Sequence, residues 1–68
     1  MYNFGEILKD LREEQTLSQM QLSKKVDITQ SAIARYELNK TEPRLSDIRK
    51  LCQYFEVSAD YLLGFTEN

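Results

Sequence analysis

Residues 17–38, LSQMQLSKKVDITQSAIARYEL, decide how this chain folds. Two helix-start signals stand eleven residues apart in this stretch. At the first, Ser18 offers a capping hydroxyl, Gln21 stands three residues on to complete a capping box, and Leu17 and Leu22 are spaced as a hydrophobic staple. At the second, Thr29 caps, and Ile28 and Ile33 take the staple positions. Only Val26-Asp27-Ile28 separates the two segments, enough to reverse direction and nothing more. Two helices this short cannot run parallel over such a link, so they cross at a steep angle.

The same rules extend outward. Asn3 caps a first helix predicted from Phe4 to Gln15, with Glu6 completing the box and Tyr2 and Ile7 as its staple. Phe4, Ile7, Leu8 and Leu11 form one apolar stripe, with Lys9, Asp10, Glu13 and Glu14 opposite. Thr16 ends this helix where a glycine would be expected. The second helix (residues 19–26) buries Leu22 and Val26 and offers the small Ser23 for a close crossing. The third (residues 30–38) turns only Ile33 and Tyr36 inward. Its other face is short and polar, a surface available to a partner. After the loop Asn39 to Arg44, a fourth helix (residues 45–55) is expected to bury Leu45, Ile48, Leu51, Cys52 and Phe55. Val57 and Ser58 open a fifth, with Val57 stapled to Leu62, which runs to Leu63 and is closed by Gly64. The fold class is all-α: five short helices in one domain over residues 1–68, with a core of 4–64 and a short tail of 65–68. The second and third helices form a helix-turn-helix.

Composition narrows the chemistry. The 41% hydrophobic and 29% charged content is that of a globular domain, not a disordered one. There is no histidine, and the single cysteine, Cys52, sits on an apolar stripe. This removes the usual general base, the Cys–His nucleophile pair and most transition-metal sites. No enzyme activity, metal or cofactor is expected. Cys52 reads as a small buried hydrophobe; a redox switch would need an exposed thiolate near positive charge. One cysteine permits no internal disulfide, and no apolar run approaches membrane-spanning length, so a reducing cytoplasm is the expected location. The net charge is −2, but residues 24–50 carry seven basic against four acidic groups. A polyanion responds to the local field, because salt screens charge beyond about 8–10 Å.

The chain resembles the Cro/CI-type, lambda-repressor-like (xenobiotic-response-element) helix-turn-helix DNA-binding domains. The resemblance rests on Leu17, Ser18-Gln19, Leu22, Ser23, Val26, Ile28-Thr29-Gln30-Ser31, Ile33, Arg35 and Glu37. It continues through Asn39-Lys40, Pro43, Leu51, Phe55-Glu56-Val57-Ser58 and Tyr61-Leu62-Leu63. It departs from the family at the turn, where Asp27 replaces the usual glycine, and after the third helix, where Asn39 stands. Asp and Asn tolerate a left-handed backbone better than other non-glycine residues.

The resemblance implies a sequence-specific transcriptional regulator, a repressor, with its third helix in the major groove of an inverted-repeat operator. It implies that Gln30, Ser31 and Arg35 read bases. Glutamine matches adenine and arginine matches guanine, each through two hydrogen bonds. Ala32 and Ala34 are candidates for contact with a thymine methyl. Gln19, at a helix N-terminus, suits a phosphate. Thr29, Asn39, Lys40 and Arg44 are assigned to the DNA backbone, Arg44 with reach toward a narrow minor groove. The resemblance also implies a structural ion pair between Arg12 and Glu37. The expected partners are double-stranded DNA and a second copy of the chain, in a homodimer through Leu63 and Phe65 or as a monomer that pairs only on DNA. The alternative function is a protein-interaction module, such as an antitoxin-like protein whose partner is another protein; the net acidity fits it.

Overall fold

The computed structural model describes residues 3–66. Its order is α1 (Phe4–Glu14), α2 (Gln19–Val26), α3 (Gln30–Glu37), α4 (Leu45–Phe55) and α5 (Ala59–Leu62), with no strand among the described residues. The staple partner Tyr2 lies outside that range. α1, α3 and α5 each stop one residue short of the sequence reading.

The starts follow the sequence signals. Asn3, Ser18, Thr29 and Ser58 each accept a hydrogen bond from the backbone N–H three residues on, and Ser18 with Gln21 forms a full capping box. α4 begins at Arg44 without a side-chain cap. The helix ends are more uniform than the sequence suggests. Every helix is followed by one left-handed residue: Thr16 (φ 55°), Asp27 (57°), Asn39 (57°), Glu56 (57°) and Gly64 (84°). The next N–H then folds back onto the last turn, as from Leu17 to the Arg12 carbonyl and from Lys40 to that of Arg35. Thr16 therefore closes α1 in the manner of a glycine.

α3 packs against α1 and α2, α4 against α2 and α5, and α5 returns to α1. Leu8, Leu22, Ile33, Leu51 and Leu62 are fully buried at the centre, ringed by Phe4, Ile7, Val26, Ile28 and Tyr36. Phe4 meets Tyr36 edge to face, with ring centroids 5.5 Å apart. α1 and α3 approach closely at Gly5. A methyl group there would fall 2.5 Å from the Tyr36 carbonyl oxygen and 2.7 Å from that of Glu37. Asn39 fixes the same junction: its Oδ1 accepts from the Gly5 N–H (3.1 Å) and its Nδ2 donates to Asn3 Oδ1 (3.1 Å).

One expected core residue is not buried. Leu45 is 71% exposed. It opens α4, and helical side chains lean toward the N-terminus, so its side chain projects beyond the end of the core. Ile48, Cys52 and Phe55 are half-buried against the core. Asp47, on the same helix, is buried instead.

Candidate nucleic-acid interface

Ile33 and Tyr36 hold α3 down, joined by Ala32, which packs against the core. That orientation leaves Ser31 and Arg35 exposed, with Gln30 and Ala34 half-buried at their flank. Neither Ser31 nor Arg35 makes a side-chain hydrogen bond or ion pair among the described residues. Of the two alanines, Ala32 is thus partly committed to the interior, and Ala34 lies on the outer flank. The Thr29 hydroxyl accepts from the Ala32 N–H (3.2 Å), a bond that leaves its own proton unused.

Beneath this face sits a buried ion pair. The Arg12 guanidinium donates from Nε to Glu37 Oε2 (2.6 Å), from Nη2 to Glu37 Oε1 (2.9 Å) and from Nη1 to the Leu17 carbonyl (2.7 Å). The side chains are only 11% and 5% exposed. The hydrogen bond to Glu37 raises the Arg12 pKa above its ordinary value, with burial opposing. Arg12 thereby ties α1 to the end of α3 and to the residue that leads into α2.

The network continues outward. Gln19 Nε2 donates to Glu37 Oε1 (3.0 Å), and Gln19 Oε1 accepts from Gln30 Nε2 (3.0 Å). The structure thus brings together four residues that the sequence reading placed in three separate roles. No spacing rule pairs residues eighteen apart, such as Gln19 and Glu37; only the steep crossing of α2 over α3 does.

At the far end of α3, Lys40 and Arg44 are exposed on either side of the loop 39–44. Asn39 is exposed too, but its amide serves the α1 junction. The loop is anchored by Tyr36, whose hydroxyl donates to Asp47 Oδ2 (2.5 Å) and accepts from the Arg44 N–H (3.3 Å). Burial raises the Tyr36 pKa, and the bond to Asp47 adds to it. Asp47 and Gly5 escaped the sequence reading because a charged residue on a helix and a helical glycine carry no signal of what lies opposite them.

Phe65 is 75% exposed, whereas Leu63 is half-buried against the core. Cys52 is half-buried, and burial alone raises its thiol pKa, which favours the protonated, unreactive form. Among the described residues there is no group of three or more His, Cys, Asp or Glu that could hold a metal, and no helix long and apolar enough to cross a membrane.

Five helices, with a capped pair crossing over a buried arginine–glutamate bridge, define a lambda-repressor-like helix-turn-helix domain of the Cro/CI type. The chain belongs to the helix-turn-helix family, which it matches over residues 8–62. It is 38% identical over 63 residues to YonR, an SPbeta prophage-derived HTH-type transcriptional regulator of Bacillus subtilis (strain 168), covering 93% of this chain and 58% of YonR. To YobD, an HTH-type transcriptional regulator of the same organism, it is 34% identical, covering 90% of this chain and 54% of YobD. The chain therefore spans little more than half the length of these relatives. Among solved structures it is similar to the P22 c2 repressor in complex with synthetic operator 9T (TM-score 0.85, 30% identity, 93% of this chain and 96% of that one). A transcriptional regulator from Listeria innocua superposes with a TM-score of 0.84 at 27% identity, over 97% of this chain and 62% of the other.

Proposed function

We propose that this chain is the sequence-specific DNA-binding module of a transcriptional repressor, docking α3 in the major groove. The observation that carries this reading is the outer face of α3, where Ser31 and Arg35 stand exposed without internal partners on a helix whose opposite face is buried. The likeness to a repressor seen on its operator supports it. Gln30, Ser31 and Arg35 read base edges. Gln19, Thr29, Lys40 and Arg44 meet the backbone, where charge and donors position without specifying. Ala34 is the better placed of the two alanines for a thymine methyl. Asn39 contributes by fixing the loop that carries Lys40.

Two copies read half-sites about 34 Å apart, a spacing that suits a body of 27 × 23 × 20 Å. Phe65 is the apolar contact offered to the second copy. Such a module works in the cytoplasm, alongside DNA, and no catalysis enters this reading. The acidic balance of the chain as a whole favours the second reading, a protein-interaction module.

Selection from a random duplex pool, followed by titration at several salt concentrations, separates the two. An enriched inverted repeat whose affinity falls steeply with salt is expected. A pool that yields no motif overturns the DNA reading in favour of a protein partner.

A further inference from the structure

We propose that the Tyr36 hydroxyl and the Asp47 carboxylate are positioning residues for Arg44, and that they hold its DNA contact in register with α3. This rests on the reading of Arg44 as a residue that meets DNA. The start of α4 is unlike the starts of the other helices. Its N-cap residue, Arg44, has only donors on its side chain and makes no capping bond. In a capping box, the side chain at the third helical position accepts from the N-cap N–H, as Gln21 Oε1 does from the Ser18 N–H (2.8 Å) in α2. The third position of α4 is Asp47, whose side chain is shorter by a methylene than that of glutamine or glutamate. A hydroxyl from another helix fills the gap. The Arg44 N–H donates to Tyr36 Oη (3.3 Å), and Tyr36 Oη donates to Asp47 Oδ2 (2.5 Å). Chemistry fixes the order: the carboxylate only accepts, the backbone N–H only donates, and the single phenolic proton must go to the carboxylate.

This box joins two contacts that the loop alone would leave independent. Asp47 is buried yet has no ion pair among the described residues, so its charge leans on the hydroxyl and on the N-terminal end of α4. Tyr36 is itself firmly held, 3% exposed and met edge to face by Phe4. It stands next to Arg35 on α3. Thr41, Glu42 and Pro43 make no hydrogen bond among the described residues, so the bond from Arg44 ties the end of this loop to α3. The Arg44 side chain is exposed without an internal partner. Its point of attachment is thus set by the helix that enters the major groove, through the Tyr36 ring. A guanidinium held this way is aimed at the narrow minor groove of A·T-rich sequence. Released from the box, it keeps its charge and loses its aim.

The test uses the whole chain with Tyr36→Phe, Arg44→Ala, their double variant, and Tyr36→Phe/Asp47→Leu. Tyr36→Phe keeps the ring and removes the hydroxyl. Tyr36→Phe/Asp47→Leu leaves no buried carboxylate unpaired, so it folds even where Tyr36→Phe does not, and it should bind as Tyr36→Phe does. Circular dichroism melting sets a temperature at which every assayed variant is folded. Amide exchange at Arg44, followed by NMR in the free protein, should lose its protection with the hydroxyl; unchanged exchange overturns the box. Operators are selected from a random duplex pool and titrated in competition with single-position changes. Arg44→Ala is expected to erase an A·T preference at positions outside the bases read by α3. Tyr36→Phe is expected to lower that preference about fivefold, the factor that one hydrogen bond of ordinary strength supplies, and to leave the bases under α3 unchanged. The double variant with Arg44→Ala should lose no more than Arg44→Ala alone. If Tyr36→Phe weakens every operator alike, or costs as much beside Arg44→Ala as in the wild type, the hydroxyl is only structural and the proposal is overturned while the docking of α3 stands. If Arg44→Ala leaves affinity and preference intact, Arg44 does not meet DNA, and the proposal falls with that part of the reading. A wild type that enriches no operator removes both.

Discussion

Arg12→Ala strikes the buried ion pair that joins α1 to α3. The substitution removes both bonds to Glu37 and the bond to the Leu17 carbonyl. It leaves a carboxylate, 5% exposed, with the Gln19 amide as its remaining partner. Removing one member of a buried pair costs about 3–5 kcal/mol, because the other charge stays desolvated. A chain of this length holds a total stability of about 3–10 kcal/mol, at roughly 0.05–0.15 kcal/mol per residue. The loss is therefore a large part of the whole. At about 4–8 °C per kcal/mol it lowers the Tm by about 12–40 °C. The assay is thermal and urea unfolding of the wild type, Arg12→Ala, the exposed control Lys9→Ala and the double variant Arg12→Met/Glu37→Met. The control should change stability by less than about 0.5 kcal/mol. The double variant should recover most of the loss, since it buries no lone charge. An Arg12→Ala loss no greater than that of Lys9→Ala would refute the reasoning. So would a double variant as unstable as the single one.

Gly5→Ala should destabilise by about 1–3 kcal/mol, because its methyl group meets two backbone carbonyls that cannot step aside; chemical denaturation measures it. Arg35→Ala should cost about 1–3 kcal/mol on the preferred operator and flatten one position of the half-site, whereas Lys40→Ala should weaken all sites alike and reduce the salt slope by about one charge per subunit. Competition titration across salt and single-base operator variants checks both. Tyr36 links stability to alkaline pH. Its folded-state pKa is raised, so the unfolded chain loses the phenolic proton first. The contribution is fully present below the ordinary tyrosine value of about 10 and is lost as pH rises through the folded-state value. Unfolding free energy should therefore decline above about pH 10, and Tyr36→Phe should decline less steeply over the same window.

The helix starts were legible because capping chemistry is local: a hydroxyl or amide, a partner three residues on, and a staple all lie within six residues of sequence. The core stripe of α1 was legible for the same reason. Leu45 misled because periodicity ignores where a helix begins relative to the core. Asp47 carried no local signal of its burial, since its partner Tyr36 lies on another helix. The hydrogen-bond chain from Glu37 through Gln19 to Gln30 was hidden for a deeper reason. Each residue alone reads as a surface polar group, and their connection exists only once α2 crosses α3.

The four non-glycine residues that follow α1 to α4 leave the chain room for improvement. A left-handed residue with a side chain costs about 1–2 kcal/mol, from which the added freedom of an unfolded glycine subtracts about 0.4–1. Asn39 earns its place by clamping Gly5 and Asn3, and Asp27 lies 3.9 Å from Lys50. Thr16 and Glu56 hold no tertiary bond of this kind among the described residues. Glycine at those two exposed positions should raise the melting point without approaching α3. For anyone building variants of the reading face, such a background supplies a margin against which destabilising changes at Gln19, Gln30 or Arg35 stay folded long enough to be judged on what they bind.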